Sequence, residues 1–141
     1  MPDVLASLEP ALQSLLAPRS IAIIGASGDP SKIGAMPLRF LRKYGYSGRI
    51  YPVNPNYADI DGVRCYPSVA NIVEVVDLMV VTVPSAHVPA LLDQCAPGRV
   101  RTALVLSSGY AETGEAGERL QQELVDQARR RGSRLCGPNS V

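Results

Sequence analysis

The stretch Ser20-Ile-Ala-Ile-Ile-Gly-Ala-Ser-Gly-Asp-Pro-Ser-Lys-Ile-Gly34 constrains this chain more than any other. Its β-branched run suits a strand buried on both faces. The run breaks into small residues, and an apolar pattern of helical period follows over residues 33–44. There Ile33, Leu38, Phe40, Leu41 and Tyr44 share one side and Pro37 occupies the first turn, where a missing N–H is tolerated. Strand, small-residue loop and helix in this order open an α/β domain. Gly25-Ala26-Ser27-Gly28 is expected to present backbone N–H groups to a phosphate, aided by the positive N-terminus of the helix.

The rest of the chain repeats this unit. Ahead of it, Val4, Leu5, Leu8, Leu12, Leu15 and Leu16 fall at helical spacing behind Asp3 as N-cap, with Pro10 expected to break or delay the helix; residues 1–17 form a helical lead-in. Gly45 and Gly48 stop the helix over 33–44, and Arg49-Ile-Tyr-Pro-Val53 makes a second strand ending in the turn Asn54-Pro55-Asn56. Residues 57–76 are the least regular, with a turn at Asp61-Gly62, a brief strand over 63–65 and a short helix over 67–72. Asp77-Leu-Met-Val-Val-Thr-Val83 is the third strand, closed by Pro84, and Ser85 is the expected N-cap of a helix reaching Cys95. A fourth strand over 101–106 opens into Ser107-Ser108-Gly109. A helix over 114–131 carries Ala116, Leu120, Leu124 and Ala128 at steps of four, Gly132 stops it, and a fifth strand covers 134–136.

Strands of buried type alternating with helices indicate the α/β class. The expected fold is a Rossmann-like, doubly wound, mainly parallel sheet of five or slightly more strands, with helices on both faces. Right-handed crossovers gather the post-strand loops along one edge, and ligands of such sheets lie there, where the strand order reverses. That edge comprises residues 25–34, 54–56, 83–85, 107–109 and 137–139. Gly, Pro, Ser and Asn dominate it, while carboxylates, His and thiols are nearly absent, so it suits binding rather than acid–base chemistry.

A length of 141 residues fits one domain that buries roughly two thirds of the surface its unfolded chain exposes. A net charge of +1 without a basic stripe argues against a nucleic-acid partner. Cys65, Cys95 and Cys136 are odd in number and far apart, which suggests three buried thiols in a reducing cytoplasm and neither a disulfide framework nor a metal site. No apolar run reaches the ~18 residues of a membrane span.

Two tests narrow the ligand. Counting from Gly25, the dinucleotide pattern G-x-G-x-x-G fails, because Ser27 and Pro30 stand at its second and third glycines. NAD enzymes also place an acidic residue at the end of the second strand, to hold the ribose hydroxyls. Here that strand ends Val53-Asn54-Pro55, and the first acidic residue beyond it is Asp59. An uncharged turn tolerates a phosphorylated ribose, as in coenzyme A, and the same holds for NADP.

Pro18-Arg-Ser-Ile-Ala-Ile-Ile-Gly-Ala-Ser27, Lys32-Ile-Gly34, Tyr44-Gly-Tyr-Ser-Gly48, Ile50-Tyr-Pro-Val-Asn-Pro55, Asp77 to Pro84, Ser108-Gly-Tyr-Ala-Glu112 and Gly137-Pro-Asn139 together resemble the N-terminal CoA-binding domain of NDP-forming acyl-CoA synthetases. That group includes ADP-forming acetyl-CoA synthetase and is related to the succinyl-CoA synthetase α subunit. The resemblance implies coenzyme A as ligand of residues 18–141, as one domain of a longer multidomain chain. It implies that Gly25, Ala26, Ser27, Lys32 and Gly34 cradle the phosphates and that Val53, Asn54 and Pro55 flank the nucleotide. Val83 and Pro84 would support the thiol-bearing arm. Ser107, Ser108 and Gly109 would line the other side, and Asn139 would shape the end nearest the next domain. The family's reaction turns acyl-CoA, nucleoside diphosphate and phosphate into acid, CoA and nucleoside triphosphate. Its phosphohistidine lies in a flavodoxin-like domain and its nucleotide site in an ATP-grasp domain, the partners implied here. The alternatives are the regulatory domain of a protein acetyltransferase, which opens with a similar module, a stand-alone CoA-binding protein and an NAD(P)-binding domain.

No catalytic residue is assigned within the chain. His87, its one histidine, matches no phosphohistidine motif and is expected to be a packing or partly exposed residue. Glu112 is expected to order the loop over 107–109. Lys43 and Arg129, Arg130 and Arg131 read as solvated helix ends.

Overall fold

The computed structural model describes residues 9–137. Helix α1 spans Pro10–Leu16 and begins at its proline, where the missing N–H has no helical partner to lose. Asp3, Val4, Leu5 and Leu8 lie outside the described residues. Strand β1 (Ser20–Ile24) is followed by a 3-10 turn over Ile33–Ala35 that runs into α2 (Met36–Lys43). Strand β2 is Arg49–Val53, and a small hairpin of β3 (Asp59–Ile60) and β4 (Val63–Arg64) comes next. Strand β5 (Val76–Val81) leads through a 3-10 turn over Ser85–His87 into α3 (Val88–Gln94). Strand β6 (Val100–Val105), α4 (Glu115–Arg130) and β7 (Arg134–Cys136) complete the order.

The main sheet runs β2-β1-β5-β6-β7, all parallel. The chain steps from β1 outward to β2 and then returns to β5 on the other side of β1, so the order reverses between β1 and β5. This is the expected doubly wound α/β architecture. Alternation along the strands separates two cores. Ile21, Ile23, Leu78 and Val80 pack with Leu38 of α2 and with Leu15 of α1. Ala22, Ile24, Met79, Val81, Ala103 and Val105 face Val88, Leu91 and Leu92 of α3 and Leu124 and Ala128 of α4. Full burial of each large side chain contributes about 1.5–3 kcal/mol. Among the described residues no helix is long and apolar enough to cross a membrane.

Several local expectations change. Ser85 caps nothing: Pro84 stands at the cap without a side-chain bond, and α3 starts only at Val88, with Pro89 in its first turn. The third strand ends before Thr82, whose N–H and hydroxyl both donate to the Ile24 carbonyl, at 3.0 and 2.7 Å. The short helix over 67–72 contracts to one 3-10 turn, Val69–Asn71, with the Ser68 hydroxyl accepting the Ala70 N–H. The turn at Asp61-Gly62 is present, with φ of +50° and +81°, and it joins β4 to a partner, β3, that composition did not reveal. Arg131 is not a solvated end, because its guanidinium donates to the Cys95 carbonyl at 2.8 Å and to Asp93 at 3.1 Å, tying α4 to α3. Cys65 and Cys95 are buried but Cys136 is only partly so. Burial pushes the Cys95 thiol up to about 11, so it stays protonated and inert near neutrality.

Tyr110 is fully buried, and its hydroxyl has no hydrogen-bond partner among the described residues. An unpaired buried hydroxyl costs about 1–3 kcal/mol. Tyr110→Phe is therefore expected to hold or raise the urea midpoint. Leu124→Ala, at a position 1% exposed, is expected to lose about 2–5 kcal/mol. Equilibrium denaturation of the two variants checks both.

Candidate functional site

The strands end in register, with Ile24 beside Val53 and Val81, and Val81 beside Val105, so their loops leave one edge together. The loop after β1 is drawn tight at both ends. Gly25 has φ +83°, and a Cβ there would lie 2.7 Å from Thr82 Oγ1; a Cβ on Gly34 would lie 2.0 Å from the Gly25 carbonyl oxygen. Only glycine fits either position, and the pair brings the start of the 3-10 turn directly over the switch point.

The loop's own N–H groups are already engaged. Gly25 and Ala26 both donate to the Val53 carbonyl, at 3.0 and 3.3 Å, and Ser27 donates to the Gly34 carbonyl at 3.2 Å. The Ser27 hydroxyl accepts the Asp29 N–H and lies 3.3 Å from the Tyr57 hydroxyl. The expectation that residues 25–28 present their N–H groups to a phosphate is thus corrected for Gly25, Ala26 and Ser27, whose donors hold β1, β2 and the loop together. Ile33 and Gly34, the first residues of the 3-10 turn, have N–H groups without a partner inside it, as at any helix start.

Beside this loop lies a cleft of about 590 Å³, lined by Gly25, Ser27, Lys32, Ile33, Gly34, Asn54, Asn56, Tyr57, Thr82, Val83 and Pro84. Ile33, Thr82, Val83 and Pro84 also line a second lobe of about 340 Å³, which continues past Ser85 and Leu106 to Ser107 and Ser108. Lys32 is the one charged side chain among these lining residues, and none of them is a carboxylate, histidine or cysteine. Two other hollows lie away from this edge. One is an apolar groove between α2 and the sheet at Ile21, Phe40, Tyr44 and Leu104. The other is a cavity of about 160 Å³ at the far ends of β5 and β6, where the Arg99 guanidinium donates to the Val73 carbonyl.

Most of the residues read from the sequence meet here. Gly25, Ser27, Lys32, Gly34 and Asn54 line the first lobe, Val83 and Pro84 the junction, and Ser107 and Ser108 the second lobe. Ala26 and Val53, 1% and 5% exposed, lie behind the wall. The Ala26 carbonyl accepts Asn54 Nδ2 at 2.9 Å. Pro55 is exposed and outside both linings. Gly109, with φ +100°, packs against Ser85, since a Cβ on it would lie 3.1 Å from Ser85 Oγ. Asn139 lies outside the described residues. His87 is exposed, away from either lobe.

Sequence reasoning missed Tyr57, Thr82 and Leu106 as lining residues, and it placed Ile33, Asn56 and Ser85 on the edge without assigning them a contact. Thr82 carried a signal, as a hydroxyl interrupting an apolar run; Tyr57 did not, because it sits in the irregular segment. The ordering role expected of Glu112 is present. Its Oε1 accepts the N–H groups of Gly109 and, at 3.1 Å, of Tyr110. The Gly109 N–H, followed by the N–H groups of Glu112 itself and of Tyr110, holds the Glu112 carboxyl below the usual carboxylate range.

The chain is similar to known proteins in sequence and in fold. The chain is 42% identical over 132 residues to the acetate–CoA ligase [ADP-forming] I subunit alpha of Pyrococcus furiosus, covering 91% of this chain and 29% of that protein. It is 38% identical over 132 residues to the acetate–CoA ligase [ADP-forming] II of Archaeoglobus fulgidus, covering 94% of this chain and 20% of that one. Among structures, the dinucleotide-forming acetyl-coenzyme A synthetase 1 of Ca. Korarchaeum cryptofilum, in complex with phosphate and ADP, superposes with a TM-score of 0.86 at 43% identity. That match covers 93% of this chain and 28% of the other. The chain therefore spans less than a third of the length of these relatives. Residues 19–141 match the family described as a CoA binding domain, and the chain belongs to that family.

Proposed function

We propose that this chain binds coenzyme A across the two-lobed cleft, as the CoA-binding module of an ADP-forming acyl-CoA synthetase, and is not catalytic alone. The observation that carries the reading is the first lobe. Lys32 and the N–H groups of Ile33 and Gly34, which have no partner among the described residues, stand at the switch point of a parallel sheet, in a member of the CoA-binding family. In this reading they take the phosphates, and Gly25 and Ser27 supply the close wall. Asn54, Asn56 and Tyr57 flank the nucleotide, with Ala26, Val53 and Pro55 as support behind. The thiol-bearing arm crosses the apolar junction of Ile33, Val83 and Pro84 and lies along Ser107, Ser108 and Gly109, with Asn139 at the far end.

The synthetase reaction, acyl-CoA with ADP and phosphate giving acid, CoA and ATP, needs a phosphate-carrying nucleophile and a nucleotide site. No lining residue of the cleft supplies the first. Those parts belong, in this reading, to flavodoxin-like and ATP-grasp domains acting in cis or in trans in the cytoplasm, with residues 18–141 as the CoA-binding unit.

Calorimetry on the 141-residue chain is expected to give saturable binding of CoA, and weaker binding of dephospho-CoA, which lacks the 3′-phosphate. Heat with NAD(H) or NADP(H) and none with CoA would overturn the reading. Lys32→Ala, at an exposed position, is expected to stay folded and to weaken CoA about tenfold, or about 1.4 kcal/mol. Unchanged affinity in that variant would move the phosphate site elsewhere.

A further inference from the structure

The segment 107–110, whose Ser107 and Ser108 line the second lobe, is held in an unusual way. Few of its bonds are backbone ladder bonds. The Gly109 and Tyr110 N–H groups end on a single atom, Glu112 Oε1, and the Ala111 N–H goes to Gln121 Oε1 at 3.2 Å. On the cleft side the Ser107 hydroxyl donates to the Val83 carbonyl, and Gly109 rests against Ser85 Oγ. On the core side the Tyr110 ring is fully buried, and the Tyr110 carbonyl accepts the N–H and the hydroxyl of Thr113, at 2.9 and 2.8 Å. The left-handed backbone at Gly109 thus stands between Tyr110, buried in the core, and Ser85 on the cleft side, with its N–H on Glu112. Apart from Val83, which lines both lobes, the first lobe shares none of these bonds, since its loop is held by Val53, Asn54 and Thr82.

We propose that Glu112 is a positioning residue for the thiol-bearing arm: by clasping the Gly109 and Tyr110 N–H groups it sets the second lobe against Val83 and Ser85, and it governs the grip on the arm but not on the nucleotide. The proposal rests on the reading of the cleft as a CoA site. Glu112 itself touches no lobe lining and acts through Gly109. An acceptor is all that the role requires. A glutamine, which keeps one carbonyl oxygen at the same reach, therefore substitutes for it, whereas alanine leaves two N–H groups without a partner.

The test compares CoA with adenosine 3′,5′-bisphosphate, which keeps the nucleotide and lacks the arm, by calorimetry on the wild-type chain and on Glu112→Ala, Glu112→Gln and Gly109→Ala. In Glu112→Ala the affinity for CoA is expected to fall about tenfold while that for the bisphosphate stays within about twofold. Glu112→Gln is expected to restore CoA binding. Gly109→Ala, strained at φ +100° and crowded against Ser85, is expected to reproduce the selective loss, and it keeps the test alive if Glu112→Ala does not fold. Equal losses for both ligands, or no loss for either, would overturn the positioning role while leaving the CoA reading intact. A wild-type chain that binds neither ligand overturns both.

Discussion

The cleft depends on one close approach. The backbone at Gly34 passes so near the Gly25 carbonyl that no Cβ fits between them, and Thr82 closes the same gap from β5. That contact joins the end of β1, the start of the turn leading into α2 and the segment beyond β5. These are the parts that meet where the strand order reverses. Parallel register brings the strand ends level, but a level edge is only a row of loops. The glycine–glycine approach folds the first loop back across the edge and leaves a hollow on either side of Ile33. Thr82 contributes twice, since its hydroxyl and its N–H both end on the Ile24 carbonyl and anchor the far wall to the near strand.

Hydrogen bonds divide the edge into groups that hold the fold and groups without a partner among the described residues. The donors of Gly25, Ala26 and Ser27 belong to the first set, as do the side chain of Asn54 and the hydroxyl of Ser107. The donors of Ile33 and Gly34 and the Lys32 ammonium belong to the second. The division follows from topology: a loop that must cross from β1 to α2 beside β2 meets the open carbonyl of Val53 at once, and a buried carbonyl is satisfied by the nearest N–H. At the start of the 3-10 turn the first N–H groups have no partner within the turn, as at any helix start.

Much of this was legible in the residues. Apolar runs marked β1, β5 and β6, because strands buried on both faces need no alternation; β2 and β7, bounded by glycine and proline turns, matched over their full length. The hairpin partner β3 was not legible, being two residues long and carried by Asp59 and Ile60, a pair with no pattern. The cleft was legible as a set of loops but not as a surface. Ala26 and Val53 belong to the same motifs as Ser27 and Asn54, and only burial shows that they face inward. Which N–H groups stay free was equally hidden, since residue type says that a donor exists and not where it ends. Ser85 illustrates the same limit: its type suits a cap, yet Pro84 and Pro89 delay the helix and leave it as a cleft wall.

Charge sharpens what such a cleft can do. A coenzyme with a pyrophosphate and a 3′-phosphate carries several negative charges, and the lining offers one cation, Lys32. Deep burial of unpaired phosphate charge is strongly unfavourable, so a ligand held here keeps much of its phosphate surface in water and is gripped from one side. An open crevice of this kind suits a module that holds a carrier while other groups reach its reactive end. The apolar junction of Ile33, Val83 and Pro84 passes an uncharged arm at little cost, and the second lobe beyond it is neutral. In the proposed reading, Lys32 stands at one end and the small hydroxyls of Ser107 and Ser108 at the other, which would orient an extended coenzyme along the cleft.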